Sequence, residues 1–151
     1  MKKILSLCLA LVAMATALTL GMPEQNAFGA SACMTTPNTT NCDKQDPIDT
    51  GCWADATDLA VASGSGVTIQ LRYSPKCKSA WGRASTGLPA SIKACVQRKP
   101  LTTNSPQCWT DFSTDAYTDM LYLGRNVYQG RASGAAPSNA AQTPTSWKYG
   151  T

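Results

Sequence analysis

A group of aspartates between positions 43 and 58 is the first feature of the sequence that could carry chemistry. The group comprises Asp43, Asp46, Asp49, Asp55 and Asp58. Two carboxylates facing a cleft can supply the acid and base of glycoside hydrolysis, and several together can bind calcium. The spacing does not match an EF-hand loop, which ends in a glutamate. Calcium binding by these aspartates stays open, and no other metal site is expected.

Two of these aspartates occupy positions that turns favour. Asp46 precedes Pro47, and Asp49 precedes Thr50 and Gly51. A short carboxylate in such a position accepts hydrogen bonds from nearby backbone N–H groups. We favour this capping role over catalysis, and we retain Asp46 and Asp55 as candidate binding residues.

Two arginines near a tryptophan form the second candidate constellation. Arg72 and Arg83 flank Trp81, and an arginine beside an aromatic ring can take part in ligand binding. The simpler interpretation places each arginine on the polar face of a strand, paired with Asp46 or Asp55. We favour the structural role but retain Arg72, Trp81 and Arg83 as candidate binding residues.

The composition excludes several kinds of catalysis. The chain has no histidine, so neither a Ser/His/Asp triad nor a Cys/His pair can form, and no imidazole base is present. No glycine-rich phosphate-binding loop occurs, and no cofactor is expected. A net charge of only +4, without a run of basic residues, argues against nucleic-acid binding. Enzymatic activity is uncertain, and the sequence favours a non-enzymatic protein.

The N-terminal segment has the pattern of an export signal. Lys2 and Lys3 precede the apolar run Ile4–Met22, and small residues follow. This order predicts a helical signal peptide over residues 1–29, cleaved near Ala30 or Cys33. The run is also long enough for a permanent membrane anchor, and Cys33 could carry a lipid. We favour cleavage, with no membrane association afterwards, although the exact site stays open.

The cysteine count agrees with export. Of the seven cysteines, Cys8 lies in the leader, which leaves an even number. In a small exported chain such a set predicts three disulfides, and the absence of histidine and of a C-x-x-C pair argues against zinc. Cys95 and Cys108 flank a loop between two predicted strands, and we predict that they pair. For the others we favour Cys52 with Cys77 and Cys33 with Cys42.

Alternating apolar residues define the secondary structure. Val67–Tyr73 places its apolar side chains on one face, as a half-buried strand does. A hairpin turn at 63–66 would make Asp55–Ala62 its antiparallel partner. We further predict a helical turn at Cys77–Arg83 and tryptophans packed on disulfides. Further along the chain, Ser91–Arg98 and Gln107–Phe112 are predicted to be extended, and the loop Pro100–Ser105 joins them. The last core elements are predicted within Tyr117–Tyr128.

These elements predict an all-β fold, a small β-sandwich or barrel with at most a short helix, cross-linked by disulfides. An irregular arm over 30–41 would precede a β domain over 42–131. Residues 132–151 are rich in Ala, Ser, Pro and Gly, which predicts a flexible C-terminal tail. Whether Trp147 and Tyr149 dock onto the domain stays open.

Several of these motifs together resemble a known family. Four segments follow the pattern of that family in order. They are Asp46-Pro47-Ile48-Asp49-Thr50-Gly51-Cys52, Leu71–Ser74 with Cys77, Trp81-Gly82-Arg83, and Tyr117–Met120. The chain resembles the domain of unknown function 2690 family of secreted bacterial proteins. It departs from that pattern at Gln70, where the family usually has Glu, and at Gly82, where it has Ala. Cys95 and Cys108 would form an added bridge. The resemblance implies a secreted location but no reaction.

We therefore expect a secreted, extracellular protein, either released or associated with the cell envelope. Its role would be that of a binding or structural module for an extracellular or cell-wall ligand. One alternative is a secreted hydrolase or cell-wall-active factor that uses an aspartate pair. Another is an exported inhibitor or toxin-like protein, because rigid disulfide scaffolds serve that role. Ligand and oligomeric state stay open.

Overall fold

A computed structural model describes residues 42–64, 66–100, 106–124 and 126–151. The predicted signal peptide, the arm 30–41 and Cys33 lie outside the described residues. Within the described ranges, no helix is both long and apolar enough to cross a membrane. A short 3-10 helix at Cys52–Asp55 precedes eight strands. The strands are β1 (Thr57–Gly64), β2 (Val67–Ser74), β3 (Ser79–Lys99), β4 (Gln107–Tyr117), β5 (Leu121–Tyr122), β6 (Gln129–Ala135), β7 (Thr143–Pro144) and β8 (Lys148–Tyr149).

All eight strands belong to one antiparallel sheet, which confirms the predicted all-β class. The path of neighbouring strands runs β1-β2-β3-β6-β7, while β4 and β5 also pair with β3, and β8 pairs with β6. The two ends of this path approach each other, because a Cβ atom added to Gly64 in β1 would lie 2.7 Å from Thr143 Oγ1 in β7. The sheet is therefore nearly closed into a barrel.

Strand β3 organises the barrel. Its first part pairs with β2, its last part pairs with β6, and β4 runs beside both parts. The register with β4 shifts between Ser85 and Ala90. The two parts approach so closely that a side chain on Gly82 would collide with the carbonyl oxygen of Cys95. Glycine is needed at position 82 for this approach.

The core consists of two clusters. In the barrel, the predicted inward face of β2 is confirmed, because Val67, Ile69, Leu71 and Tyr73 are all buried. Burial of each such side chain contributes roughly 1.5–3 kcal/mol. The second cluster lies around the 3-10 helix and contains Cys42, Cys52, Cys77, Trp81 and Met120.

The disulfides agree with the predicted pairing as far as the described residues reach. Cys52 bonds to Cys77, and Cys95 bonds to Cys108. Cys42 is also disulfide-bonded, but its partner lies outside the described residues, so its pairing with Cys33 stays a prediction. Each such bridge stabilises a small domain by roughly 2–4 kcal/mol.

The prediction of a flexible tail over 132–151 is wrong. Most of β6 and all of β7 and β8 fall in this segment. The small residues that suggested a tail are needed inside the barrel, since a Cβ atom on Gly134 would lie 2.5 Å from the carbonyl oxygen of Lys93. Trp147 docks between cations, with its ring 4.2 Å from Lys99 Nζ and 4.7 Å from Arg131 Cζ.

The predicted helical turn at Cys77–Arg83 is also wrong. Strand β3 begins at Ser79, and the chain turns just before it, where Lys78 has a φ of 49°. The strand predicted from Asp55 begins two residues later, because Asp55 ends the 3-10 helix. Elsewhere the strands confirm the extended segments predicted for Ser91–Arg98 and Gln107–Phe112.

Candidate functional site

The structure brings together the three candidate residues Arg72, Trp81 and Arg83. Arg72 in β2 lies opposite Trp81 in β3, and Arg83 lies opposite Tyr117 in β4. Trp53 from the 3-10 helix covers this face, with its ring centroid 5.8 Å from that of Trp81. The guanidinium carbons of Arg72 and Arg83 lie 4.7 and 5.7 Å from the Trp53 ring.

These arginines already have carboxylate partners. Arg72 Nε lies 3.5 Å from Asp58 Oδ1, and Arg83 donates to Asp115, with its shortest hydrogen bond at 2.6 Å. The hydrogen bonds to Asp115 raise the pKa of Arg83 above its ordinary value. The predicted partners, Asp46 and Asp55, were therefore wrong. The general interpretation, arginines paired with aspartates on a strand face, is supported.

Trp81 serves the core in this arrangement. Its side chain is completely buried, with 0% exposure, and it lies among the cysteines of the second cluster. A buried ring between a disulfide and a stacked tryptophan stabilises the fold through packing. This location confirms the predicted packing of Trp53 and Trp81 near cysteines.

Asp55 fixes the turn before β3. Its Oδ1 accepts a 2.6 Å hydrogen bond from the Ser74 hydroxyl, and its Oδ2 accepts one of 3.0 Å from the Lys76 N–H. Ser74 Oγ in turn accepts a hydrogen bond from the N–H of Cys77. Both carboxylate oxygens of Asp55 thus hold the loop of the Cys52–Cys77 bridge, which is a structural role.

Asp46 caps its own turn and also reaches β4. Its Oδ1 accepts hydrogen bonds from the N–H groups of Ile48, at 2.6 Å, and Asp49, at 3.2 Å. Its Oδ2 lies 3.5 Å from the hydroxyl of Tyr117. The favoured capping role fits this geometry, and the second oxygen faces a groove that the sequence did not predict.

That groove follows one face of β4, and we call it the β4 groove. It has a volume of about 200 Å³ and combines aromatic with acidic side chains. The alternation of a strand places every second residue on the same face, which explains why four odd-numbered residues of β4 line it. The lining residues are Asp46, Trp109, Asp111, Asp115, Tyr117 and Asp119, together with the small, buried Ala116.

The β4 groove is electrostatically negative. Among the described residues, only Asp115 of its four aspartates forms an ion pair, with Arg83. Partial burial, assisted by the charge of Asp46, raises the pKa of Asp119. Burial followed by the same charge raises the pKa of Tyr117. The charge of Asp46 contributes to both shifts, so another negative charge is unfavourable here and the groove suits a cation or a neutral group.

Strand β4 also exposes two large aromatic side chains. Trp109 is 60% exposed and Phe112 is 74% exposed. The predicted packing of Trp109 on a disulfide is therefore wrong, although its neighbour Cys108 is bridged. Because successive residues point to opposite faces, Trp109 and Phe112 show that this part of β4 is uncovered on both sides.

The structure places Asp43 away from the other aspartates. Asp43 accepts two 2.9 Å hydrogen bonds from the guanidinium of Arg98, which is itself 1% exposed. This pair serves the fold. Across the part of the chain that the structure describes, no three acidic or cysteine side chains are grouped as metal ligands.

The fold and groove define a class of protein: a small barrel-like β domain, cross-linked by disulfides, with an acidic and aromatic groove beside one strand. The family model described as a protein of unknown function (DUF2690) matches residues 40–130, and the chain belongs to this family. The resemblance inferred from the sequence motifs is thereby confirmed. Comparisons with curated proteins and with solved structures find no match.

Proposed function

We propose that this protein is an exported, non-enzymatic binding module and that β4 presents its binding surface. The exposure of Trp109 and Phe112 on this one strand carries the proposal. Aromatic side chains are enriched at the energetic centres of protein interfaces. Apolar rings exposed to water on both faces of one strand are unfavourable, and a ligand that covers them would remove this cost.

The anchoring of β4 near both of its ends supports a role in recognition. Cys108 anchors the exposed part of β4 to Cys95 in β3, and the opposite end holds Asp115 against Arg83. A surface that is ordered before binding loses less conformational entropy when the ligand arrives. The strand can therefore present its aromatic and acidic side chains at a fixed spacing.

The oxidised cysteines support the proposed location. All five cysteines in the described residues are disulfide-bonded, and such bonds persist mainly in oxidising compartments outside the cytosol. Together with the predicted signal peptide, this favours release to the cell exterior or envelope. Mass spectrometry of non-reduced peptides from culture medium tests it. A protein found only inside the cell, with its leader intact, would contradict the proposed location.

A sedimentation assay tests the binding role. The purified protein is mixed with isolated cell-envelope material of the producing organism and centrifuged. We expect co-sedimentation that falls when Trp109 and Phe112 are both replaced by alanine. Val61→Ala is the matched control, because Val61 is a 56% exposed apolar residue on β1. Equal loss in both variants, or none in either, would contradict a binding surface on β4.

A second candidate function is hydrolysis by an aspartate pair in the same groove. Asp46 and Asp119 line the same groove, and burial together with the charge of Asp46 raises the pKa of Asp119, the direction in which a general acid is tuned. Release of soluble sugars from cell-wall polysaccharide provides the assay. The hydrolase requires that Asp119→Asn abolishes release without lowering the melting temperature. Unchanged release in the variant, or none from the wild type, would exclude it.

A further inference from the structure

We infer that the partner of β4 is an extended, basic peptide segment that adds as a further strand to the free edge of β4. The inference rests on the proposed function, because it requires β4 to be the binding surface. It names the chemistry of the partner: backbone groups for the strand edge and lysine or arginine side chains for the β4 groove.

The edge of β4 has the geometry for strand addition. β4 pairs with β3 on one side, and no strand among the described residues pairs with its other side. The Cα atoms of Cys95 and Cys108 are 4.1 Å apart, a spacing typical of a non-hydrogen-bonded antiparallel pair. In such a pair the N–H and C=O groups point away from the partner strand. Those of Cys108 are thus directed outward, away from β3.

Along an antiparallel strand, the backbone groups of successive residues alternate between the two edges, so every second residue of β4 directs its N–H and C=O groups outward. Thr110 and Phe112 follow Cys108 at intervals of two, so their N–H and C=O groups also face the free edge. The N–H of Phe112 donates to Asp111 Oδ1 at 2.7 Å, which agrees with a group that β3 does not use. An incoming strand would exchange this local hydrogen bond for backbone pairing, which is the mode of binding known as β-augmentation.

Charge complementarity identifies the incoming segment as basic. Side chains of an added strand alternate between the two faces, so every second one would lie beside the β4 groove. There it would meet the carboxylate of Asp111 and, further along, those of Asp46 and Asp119. A lysine or arginine would also find the exposed ring of Trp109, and cations bind favourably over such rings.

The same features disfavour a second copy of this chain as the occupant. Two β4 strands paired edge to edge would bring two Asp111 carboxylates and two acidic grooves to one interface. Like charges facing each other across strands are destabilising.

The experiment measures binding of a fluorescently labelled short peptide that alternates lysine and threonine, by anisotropy with the purified protein. We expect saturable binding that weakens as salt is added. A peptide with glutamate in place of lysine should not bind. A lysine peptide N-methylated at alternate residues should bind roughly tenfold more weakly, because it lacks the donors that pair with β4.

Two substitutions test the same contacts from the side of the protein. Asp111→Asn should weaken binding by roughly two- to fivefold, whereas the charge-matched control Asp58→Asn, which lies on β1, should not. Thr110→Pro removes an outward N–H and should weaken binding by roughly tenfold. Thermal unfolding checks that this variant folds, and the methylated peptide probes the same hydrogen bonds if it does not.

Several outcomes would overturn the inference. Equal binding of methylated and unmodified peptides would show charge attraction without strand addition, and no binding of the lysine peptide would exclude a basic partner. Concentration-dependent dimerisation that Thr110→Pro abolishes would identify a second copy as the occupant. If the aromatic substitutions still abolish envelope binding while the lysine peptide fails, only this inference falls. If those substitutions change nothing, the proposed function falls with it.

Discussion

The buried ion pair between Asp43 and Arg98 offers a demanding test of how this fold is held together. Asp43 lies just after Cys42, and Arg98 lies near the end of β3. Arg98 donates to both carboxylate oxygens of Asp43 at 2.9 Å and to the carbonyl oxygen of Tyr122 at 2.9 Å. The N–H of Tyr122 donates to Asp43 at 2.6 Å. One carboxylate thus joins the start of the domain to β3 and β5.

We predict that Asp43→Asn destabilises the protein by about 3–5 kcal/mol. The two side chains are only 2% and 4% exposed, so the substitution leaves a guanidinium in the interior without its counter-charge, and such losses have this size. Small domains have a total stability of roughly 5–15 kcal/mol. Urea unfolding followed by circular dichroism should therefore show a midpoint lowered by about 2 M or more.

The pair of Arg72 and Asp58 provides the matched control. Its side chains are 16% and 34% exposed, and its atoms are 3.5 Å apart. Solvent screens such a pair, so Asp58→Asn should cost no more than about 1 kcal/mol. Combining Asp43→Leu with Arg98→Met should recover much of the loss, because it removes both charges. If Asp43→Asn were no more damaging than Asp58→Asn, the reasoning from burial would be refuted.

Two further predictions concern the β4 groove and the crossing within β3. The pKa of Asp119 is higher in the folded state than in the unfolded state. The contribution of Asp119 to stability is therefore complete below its unfolded pKa and is lost as the pH rises through its folded pKa. Asp119→Asn should therefore raise the melting temperature at pH 7, with a gain that vanishes below about pH 4; a gain independent of pH would contradict this. Gly82→Ala should cost about 1–3 kcal/mol in urea unfolding, because the new methyl group meets the backbone of Cys95. Gly87→Ala is the control, since its added atom meets nothing within 4 Å, and equal costs would show that the contact does not matter.

The alternation of apolar residues carried much of the fold prediction. It identified the inward face of β2, and the loop between two extended segments identified the bridge of Cys95 with Cys108. The same rule could have found Arg98, which continues the buried face of Ile92, Ala94 and Val96 at intervals of two. An arginine on a buried face requires a carboxylate partner. Which aspartate supplies it depends on tertiary contacts that local sequence does not specify.

The wrong prediction of a flexible tail over 132–151 has a different physical cause. Composition suggested that 132–151 could not bury enough apolar surface to become ordered. In the barrel, however, β6 lies so close to β3 that small residues are required there, as the contacts of Gly134 with Lys93 and Ile69 show. Small residues in a sequence can therefore indicate either a segment that is not packed or one that is packed most tightly. Composition alone does not separate these two cases.

The β4 groove was only partly accessible to sequence reasoning. The extended pattern was predicted to end at Phe112, so Asp115 and Tyr117 were not placed on the same strand face as Trp109 and Asp111. Polar alternation on an exposed strand has no apolar face to fix its length, and the pairing with β3 decides where it ends. The contribution of Asp46 to the groove required the tertiary fold as well.

Gly82 and the bridge of Cys95 with Cys108 meet at one point of the structure. The backbone that leaves no room for a side chain on Gly82 belongs to Cys95, a member of that bridge. The bridge fixes Cys95 against β4 and so limits how far the backbone near Gly82 can move. A methyl group at position 82 should thus be better tolerated once the Cys95–Cys108 bond is reduced. The glycine and the bridge form a coupled pair, and the coupling acts on the strand that presents Trp109.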